Sequence, residues 1–405
     1  MTDNGSGDHA SAFPAGLNVG ATWDRKLAYL RGKAMGEEYS DKGIDVQLGP
    51  VAGPLGRSPD GGRNWEGFSP DPALTGVLMA ETIKGTQDAG VIATAKHYIV
   101  NEQEHFRQVA EAVGNGYNIT ETSSSNVDDK TMHEMYLWPF ADAVRAGVGA
   151  VMCSYNQINN SYACQNSHLL NKLLKHELGF QGFVMTDWGA HHSGVESSLA
   201  GLDMSMPGDV TFTDGMSYFG TNLTVGVLNG TVPEWRVDDM AVRIMSAFYK
   251  VGRDRQRSPP NFSSWTTDEN SYAHFATQEG WKQVNKFVDV QRDHYEVIRK
   301  VGEASTVLLK NKGALPLTGD EGTVGILGED AGSNPLGVNG CDDRGCDKGT
   351  LAMAWGSGTA EFPYLVTPEQ AIQNEVLKGE HKHPVFAVTN NGALDQMAKV
   401  ASQAR

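Results

Sequence analysis

The chain lacks several things that would have assigned it quickly. No apolar run approaches the ~18 residues that a membrane-crossing helix needs. The first residues, Met1 to Ala12, are polar and hold no apolar core of a secretory leader. Positive charge is in deficit, with 33 Lys plus Arg against 49 Asp plus Glu and a net charge of −16. Nucleic acid and anionic membrane are therefore excluded as main partners, since both want a basic face. Cysteine is scarce: four residues in two close pairs, Cys153/Cys164 and Cys341/Cys346. Pairing within each gives two local disulfides and implies an oxidising compartment; the other reading is four free thiols in a cytosolic enzyme. The glycines Gly325, Gly328 and Gly332 fit neither a dinucleotide loop nor a phosphate loop. Neither His97 with Asn101 to His105, nor His191-His192, makes a metal-ligand set. No metal and no cofactor is expected.

What remains describes a globular chain with a real core. Of 405 residues, 40% are hydrophobic and 20% charged, which suits one large domain or two to three average ones. Six Asn-x-Ser/Thr sequons, at Asn4, Asn118, Asn159, Asn222, Asn229 and Asn261, point to a secreted glycoprotein. With no leader present, the start of the gene product is read as missing.

Strand-like and helix-like stretches alternate over the first 250 residues. Residues 44–48, 91–97, 150–155, 182–188 and 202–206 read as strands. Asp71-Pro72 opens a helix, residues 128–146 carry helical periodicity, and a helix from Ser167 to Leu178 ends at Gly179. Glu234 to Val251 reads as the last helix of this region. Such βα repeats imply a buried parallel sheet, either a (β/α)8-like barrel or a doubly wound sheet. Both put chemistry at the strands' C-terminal ends, where Lys96-His97, Tyr155, Asp187 and Asp203 fall. The expected organisation is a catalytic barrel over residues 1–252 with its N-terminal strand missing, a linker over 253–292, and an α/β sandwich over 293–405 that stops mid-pattern. In that second unit 296–301 reads as helix, and 306–311 and 323–328 as strands.

Asp187 is the leading candidate for chemistry. It closes an apolar strand and is followed by Trp188 and Gly189. A carboxylate beside an indole suits a sugar pocket, because the ring can cover a pyranose face. The competing reading is an N-cap for the next helix. Lys96 and His97 either close a strand or donate to sugar hydroxyls.

Seven segments in order carry a resemblance. They are residues 13–24 (FPAGLNVGATWD), 49–57 (GPVAGPLGR), 62–72 (GRNWEGFSPDP), 95–98 (AKHY), 101–107 (NEQEHFR), 152–156 (MCSYN) and 186–191 (TDWGAH). Together they resemble glycoside hydrolase family 3, in its fungal secreted β-glucosidase branch. The resemblance implies a (β/α)8-like barrel followed by an α/β sandwich. It implies retaining hydrolysis of terminal β-D-glucosyl residues, cellobiose and related β-glucosides, through a glycosyl-enzyme on Asp187. Trp188 would line the −1 and +1 subsites, while Arg63, Lys96, His97 and Tyr155 would orient the sugar and Met152 would wall the pocket. The substrate is the expected partner, with homodimerisation left open. Two departures stand out. The family's upstream Gln-Asp-Gly/Ser-Pro stretch is absent, and the acid/base Glu is expected beyond Arg405. Glu361 and Glu369 match the early second domain and are not promoted to that role. A non-catalytic sugar-binding relative, an inactive fragment and a β-xylosidase are the alternatives.

Overall fold

The computed structural model describes residues 8–404 except 212–213, 256–257, 274–276, 314, 318–321, 342–347 and 379–383. Two helices begin the described chain, α1 (Gly16–Thr22) and α2 (Arg25–Lys42). The Asp24 carboxylate caps α2 by accepting from the N–H groups of Lys26 and Leu27, and Gly43 ends it at φ 85°. The face that α2 buries includes Ala28, Gly32, Ala34 and Gly36, so it packs through small residues. Its neighbour is α3 (Pro72–Asp88), capped by Asp71 with Pro72 in the first turn, as the sequence predicts. A Cβ on Gly32 would lie 2.6 Å from the Thr82 carbonyl oxygen, so glycine is what permits this approach.

Four strands, β1 (Val46–Gln47), β2 (Ile92–Tyr98), β3 (Ala150–Cys153) and β4 (Phe183–Thr186), form one parallel sheet in that order. β2, β3 and β4 are buried along their whole length, as strands covered on both faces must be. The pairing of Ala150 with Phe183 and of Cys153 with Thr186 sets the ends of β3 and β4 level. The crossover from β2 to β3 carries α4 (Trp138–Arg145), and a π-helical segment, His168–Glu177, joins β3 to β4. The helix expected over 128–146 is interrupted: Leu137 N–H bonds to the Met132 carbonyl at 2.7 Å, an i to i−5 step, before α4 starts at Trp138. After β4 come α5 (Val195–Ala200), α6 (Thr221–Leu228) and α7 (Glu234–Lys250).

Three expectations are corrected. Residues 202–206 make one bridge, Met185 to Met204, rather than a strand. Asp203 is not at the chemical face: its buried carboxylate accepts from Val184 N (2.8 Å), near the start of β4, and from Lys175 (2.9 Å) and Arg236 (2.7 Å). The stretch 253–292 is tied to the first unit at described points. Arg253 reaches Asp45 at 2.7 Å, and Asn261 Nδ2 donates to the Asp41 carbonyl at 2.7 Å. The first compact unit runs on through α8 (Tyr295–Ser305) to Thr306.

The second unit begins at Val307. Its described core pairs β5 (Val324–Leu327) in parallel with β6 (Val385–Val388), accompanied by α9 (Pro368–Lys378) and α10 (Leu394–Gln403). The strand expected over 306–311 is irregular, with Leu309 91% exposed.

Candidate active site

Strand ends bring the site together. Asp187 follows β4 directly, and its N–H donates to the Cys153 carbonyl at 3.0 Å, extending the ladder past the last strand residue. The Cys153–Cys164 disulfide predicted from the pairing of close cysteines is present, with Cα atoms 5.3 Å apart, so the strand that braces Asp187 is itself cross-linked. Cys341 is disulfide-bonded, while Cys346 lies outside the described residues.

The Asp187 carboxylate is held by one oxygen. Oδ1 accepts from Trp188 N–H at 2.8 Å and from the Tyr155 hydroxyl at 3.0 Å. Oδ2 is buried, has no hydrogen-bond donor, and lies 3.4 Å from His97 Nε2. The helix after β4 starts only at Val195 and has no side-chain cap, so Asp187 is not a helix cap.

His97 Nδ1 lies 2.6 Å from the Gly53 carbonyl oxygen. A carbonyl only accepts, so Nδ1 carries the hydrogen and Nε2 presents a lone pair. Burial, then the charges of Arg63 and Lys96, hold the imidazole pKa well below its usual value, so the ring is neutral. Burial and the Asp187 carboxylate push the Tyr155 phenol up, so it stays a donor. The Arg107 guanidinium sits 5.2 Å from the Tyr155 ring centre.

Two buried cations share one carboxylate. Arg63 forks onto Glu66 at 2.7 and 3.1 Å, and Lys96 Nζ lies 3.5 Å from Glu66 Oε2. Burial raises the Glu66 pKa, but Lys96 and Arg63 outweigh it and the net shift is downward. Burial lowers that of Lys96, partly offset by Glu66. Glu104 takes Arg107 at 2.7 Å, and burial pushes its carboxyl up.

Trp188 is half-buried at the edge, its carbonyl accepting from Gln108 Nε2 at 3.1 Å. Met152 is 1% exposed and packs with Ile92, Phe183 and Met185. The structure thus gathers Asp187, His97 and Tyr155 directly, and Arg63 with Lys96 around Glu66. Glu66 had no assigned role in the sequence; its signal was the i,i+3 spacing from Arg63. Among the sequons Asn118, Asn159, Asn222 and Asn229 are exposed, whereas Asn261 is buried; Asn4 lies outside the described residues.

A carboxylate with one free oxygen, beside a neutral acceptor imidazole, a phenol donor and two cations, suits a polyhydroxylated substrate with an electrophilic carbon. Comparison with known proteins bears on the family. Residues 3–247 match the family described as "Glycosyl hydrolase family 3 N terminal domain", and residues 306–405 match its C-terminal domain. The chain is 80% identical over 397 residues to "Probable beta-glucosidase A" of Aspergillus terreus, covering 98% of this chain and 46% of that protein. It is 78% identical over 398 residues to "Beta-glucosidase 1" of Aspergillus aculeatus, covering 98% and 46%. It therefore spans about half the length of the curated relatives it matches. A solved family 3 β-glucosidase from Neurospora crassa superposes with a TM-score of 0.93 at 61% identity, covering 98% of this chain and 47% of that one. A β-glucosidase from Chaetomium thermophilum gives 0.91 at 62% identity, covering 97% and 46%. The fold class is the one expected, a (β/α)8-like barrel followed by an α/β sandwich.

Proposed function

Because the chain belongs to glycosyl hydrolase family 3, we propose that it carries the nucleophile side of a retaining β-glucosidase site. Asp187 attacks the anomeric carbon of a terminal β-D-glucosyl residue. The bond from that carbon to the leaving oxygen breaks as the ester to Asp187 forms. A second carboxyl protonates the leaving oxygen, then takes a proton from the water that releases glucose. We assign that acid/base role to none of the described residues. Glu66 is held as an anion by Arg63 and Lys96, which suits a counter-ion rather than a proton donor.

The observation that carries this reading is the one-sided hold on Asp187. Tyr155 and the Trp188 amide fix Oδ1 and set the carboxylate plane, while Oδ2 keeps its lone pairs free of donors. Around it, Arg63 and Lys96 would donate to sugar hydroxyls and His97 Nε2 would accept from one. Trp188 would cover an apolar sugar face, and Met152 would shape the wall from beneath. The substrates would be cellobiose and related β-glucosides. Secretion is part of the proposal, supported by the Cys153–Cys164 disulfide. Among the described residues no helix is long and apolar enough to cross a membrane.

The test is a 2-deoxy-2-fluoro β-glucoside applied to the whole natural protein, followed by peptide mapping. A covalent label on Asp187 supports the assignment, and a label on any other carboxylate overturns it.

A further inference from the structure

Glu102 belongs to the 101–107 segment, yet its carboxylate is used away from the reacting atoms. Oε1 accepts the Leu55 N–H at 2.6 Å, and Oε2 accepts those of Gly56 (3.0 Å) and Arg57 (2.8 Å). Three consecutive amides close on one anion, an arrangement that fixes a turn firmly. The turn matters because of what it holds at its start. The Gly53 carbonyl receives both the backbone N–H of His97 (3.1 Å) and its Nδ1 (2.6 Å), while Gly53 N–H donates back to the Lys96 carbonyl at 3.2 Å. A Cβ on Gly53 would sit 2.6 Å from the His97 carbonyl oxygen, so the two strands of chain are pressed together.

We propose that Glu102 is a positioning residue: by anchoring the Leu55–Arg57 amides it holds the Gly53 carbonyl on His97 Nδ1, and so keeps His97 Nε2 without a hydrogen opposite Asp187. The inference rests on the reading of Asp187 as nucleophile. If the turn loosens, the imidazole hydrogen is free to move to Nε2. From there it would donate to Asp187 Oδ2, only 3.4 Å away, and quench the one carboxylate oxygen that has no donor. Glu102 thereby controls the tautomer, and the tautomer keeps the attacking atom free.

The experiment uses the whole natural protein with imidazole-15N histidine, the His97 signals being assigned by their loss in His97→Asn. The unaltered protein should show hydrogen on Nδ1. Glu102→Gln puts an amide hydrogen against backbone donors, and should shift His97 toward the Nε2–H form while kcat/KM for an aryl β-glucoside falls about 10- to 100-fold. Glu102→Asp, which keeps the charge but retracts it, should fall between the two and decides the matter if the Gln variant does not fold. Retention of the Nδ1–H form with unchanged kinetics in the folded variants overturns the proposal, as does an Nε2–H form in the unaltered protein. The tautomer readout needs no turnover, so absence of hydrolysis in the unaltered protein would count against the proposed function alone.

Discussion

The Tyr155 hydroxyl donates to Asp187 Oδ1 at 3.0 Å, across 32 residues of sequence and from one strand end to the next. Tyr155 lies just beyond β3 and Asp187 just beyond β4, and the level register of those strands makes the contact. A phenol whose pKa is pushed up by burial and by the carboxylate itself stays protonated over the whole working range. Tyr155→Phe removes this donor and leaves the ring under Arg107. Hydrogen bonds to a charged group contribute about 1.5–3 kcal/mol, so kcat/KM for a β-glucoside should fall about 10- to 100-fold. The melting temperature should fall as well, by a few degrees. Wild-type kinetics in Tyr155→Phe would mean that the Trp188 amide alone orients the carboxylate.

A second prediction concerns Asp203, which sequence position placed among the chemical residues. The structure puts it beside Val184, pairing Lys175 and Arg236 with its side chain fully buried. Burial lowers the Lys175 pKa to about 8, with Asp203 working against that shift. Asp203→Asn leaves two buried cations short of their counter-ion, a change worth about 3–5 kcal/mol of stability. Thermal unfolding should show the loss, while glucoside turnover per folded molecule stays at the wild-type level. A large fall in turnover with an unchanged melting temperature would return Asp203 to the active site.

These two residues show what the sequence makes legible. β2, β3 and β4 are visible as short apolar runs because both faces are buried, and Asp187 follows from the polar residue that ends such a run. Asp203 looks the same in one dimension, but its segment makes a single bridge, and only the fold reveals which end of the sheet it faces. Helix α2 escapes an apolar-period search because its packing face uses glycine and alanine. The apolar residues Val307, Leu308 and Leu309 mimic a strand and are exposed instead. The reach of Lys96 to Glu66, and the Gly53 carbonyl that sets the His97 tautomer, depend on three-dimensional pairing that no local spacing encodes.

The third prediction concerns Cys153–Cys164. The bridge closes a short loop, eleven residues in separation, so its entropic contribution falls at the low end of about 2–4 kcal/mol. The Cys153 carbonyl is also the acceptor for the Asp187 amide. Cys153→Ser should therefore lower both the melting temperature and kcat. Non-reducing peptide mapping that recovers Cys153 and Cys164 as free thiols would remove the cross-link and with it this support for secretion.

The last prediction uses the pH dependence of the Glu66 cluster. Burial raises the Glu66 pKa, but Lys96 and Arg63 outweigh it and the folded value lies below the ordinary one. A carboxyl whose folded pKa is depressed contributes stability that is complete above its unfolded pKa, about 4.3. That contribution is lost as the pH falls through the folded value, because the unfolded chain then binds the proton more readily. Glu66→Gln removes the charge and leaves Lys96, already lowered by burial, and Arg63 sharing no anion at that place. Breaking one side of a buried pair costs about 3–5 kcal/mol, so the variant should melt well below the natural protein near neutral pH. The gap should then narrow as the pH drops below the unfolded value of about 4.3, where the unfolded chain takes up the proton first, and close once folded Glu66 is protonated as well. Melting curves of the two proteins across that range decide the point: a gap that stays constant with pH would show that Glu66 acts by shape, and that another anion balances Arg63 and Lys96.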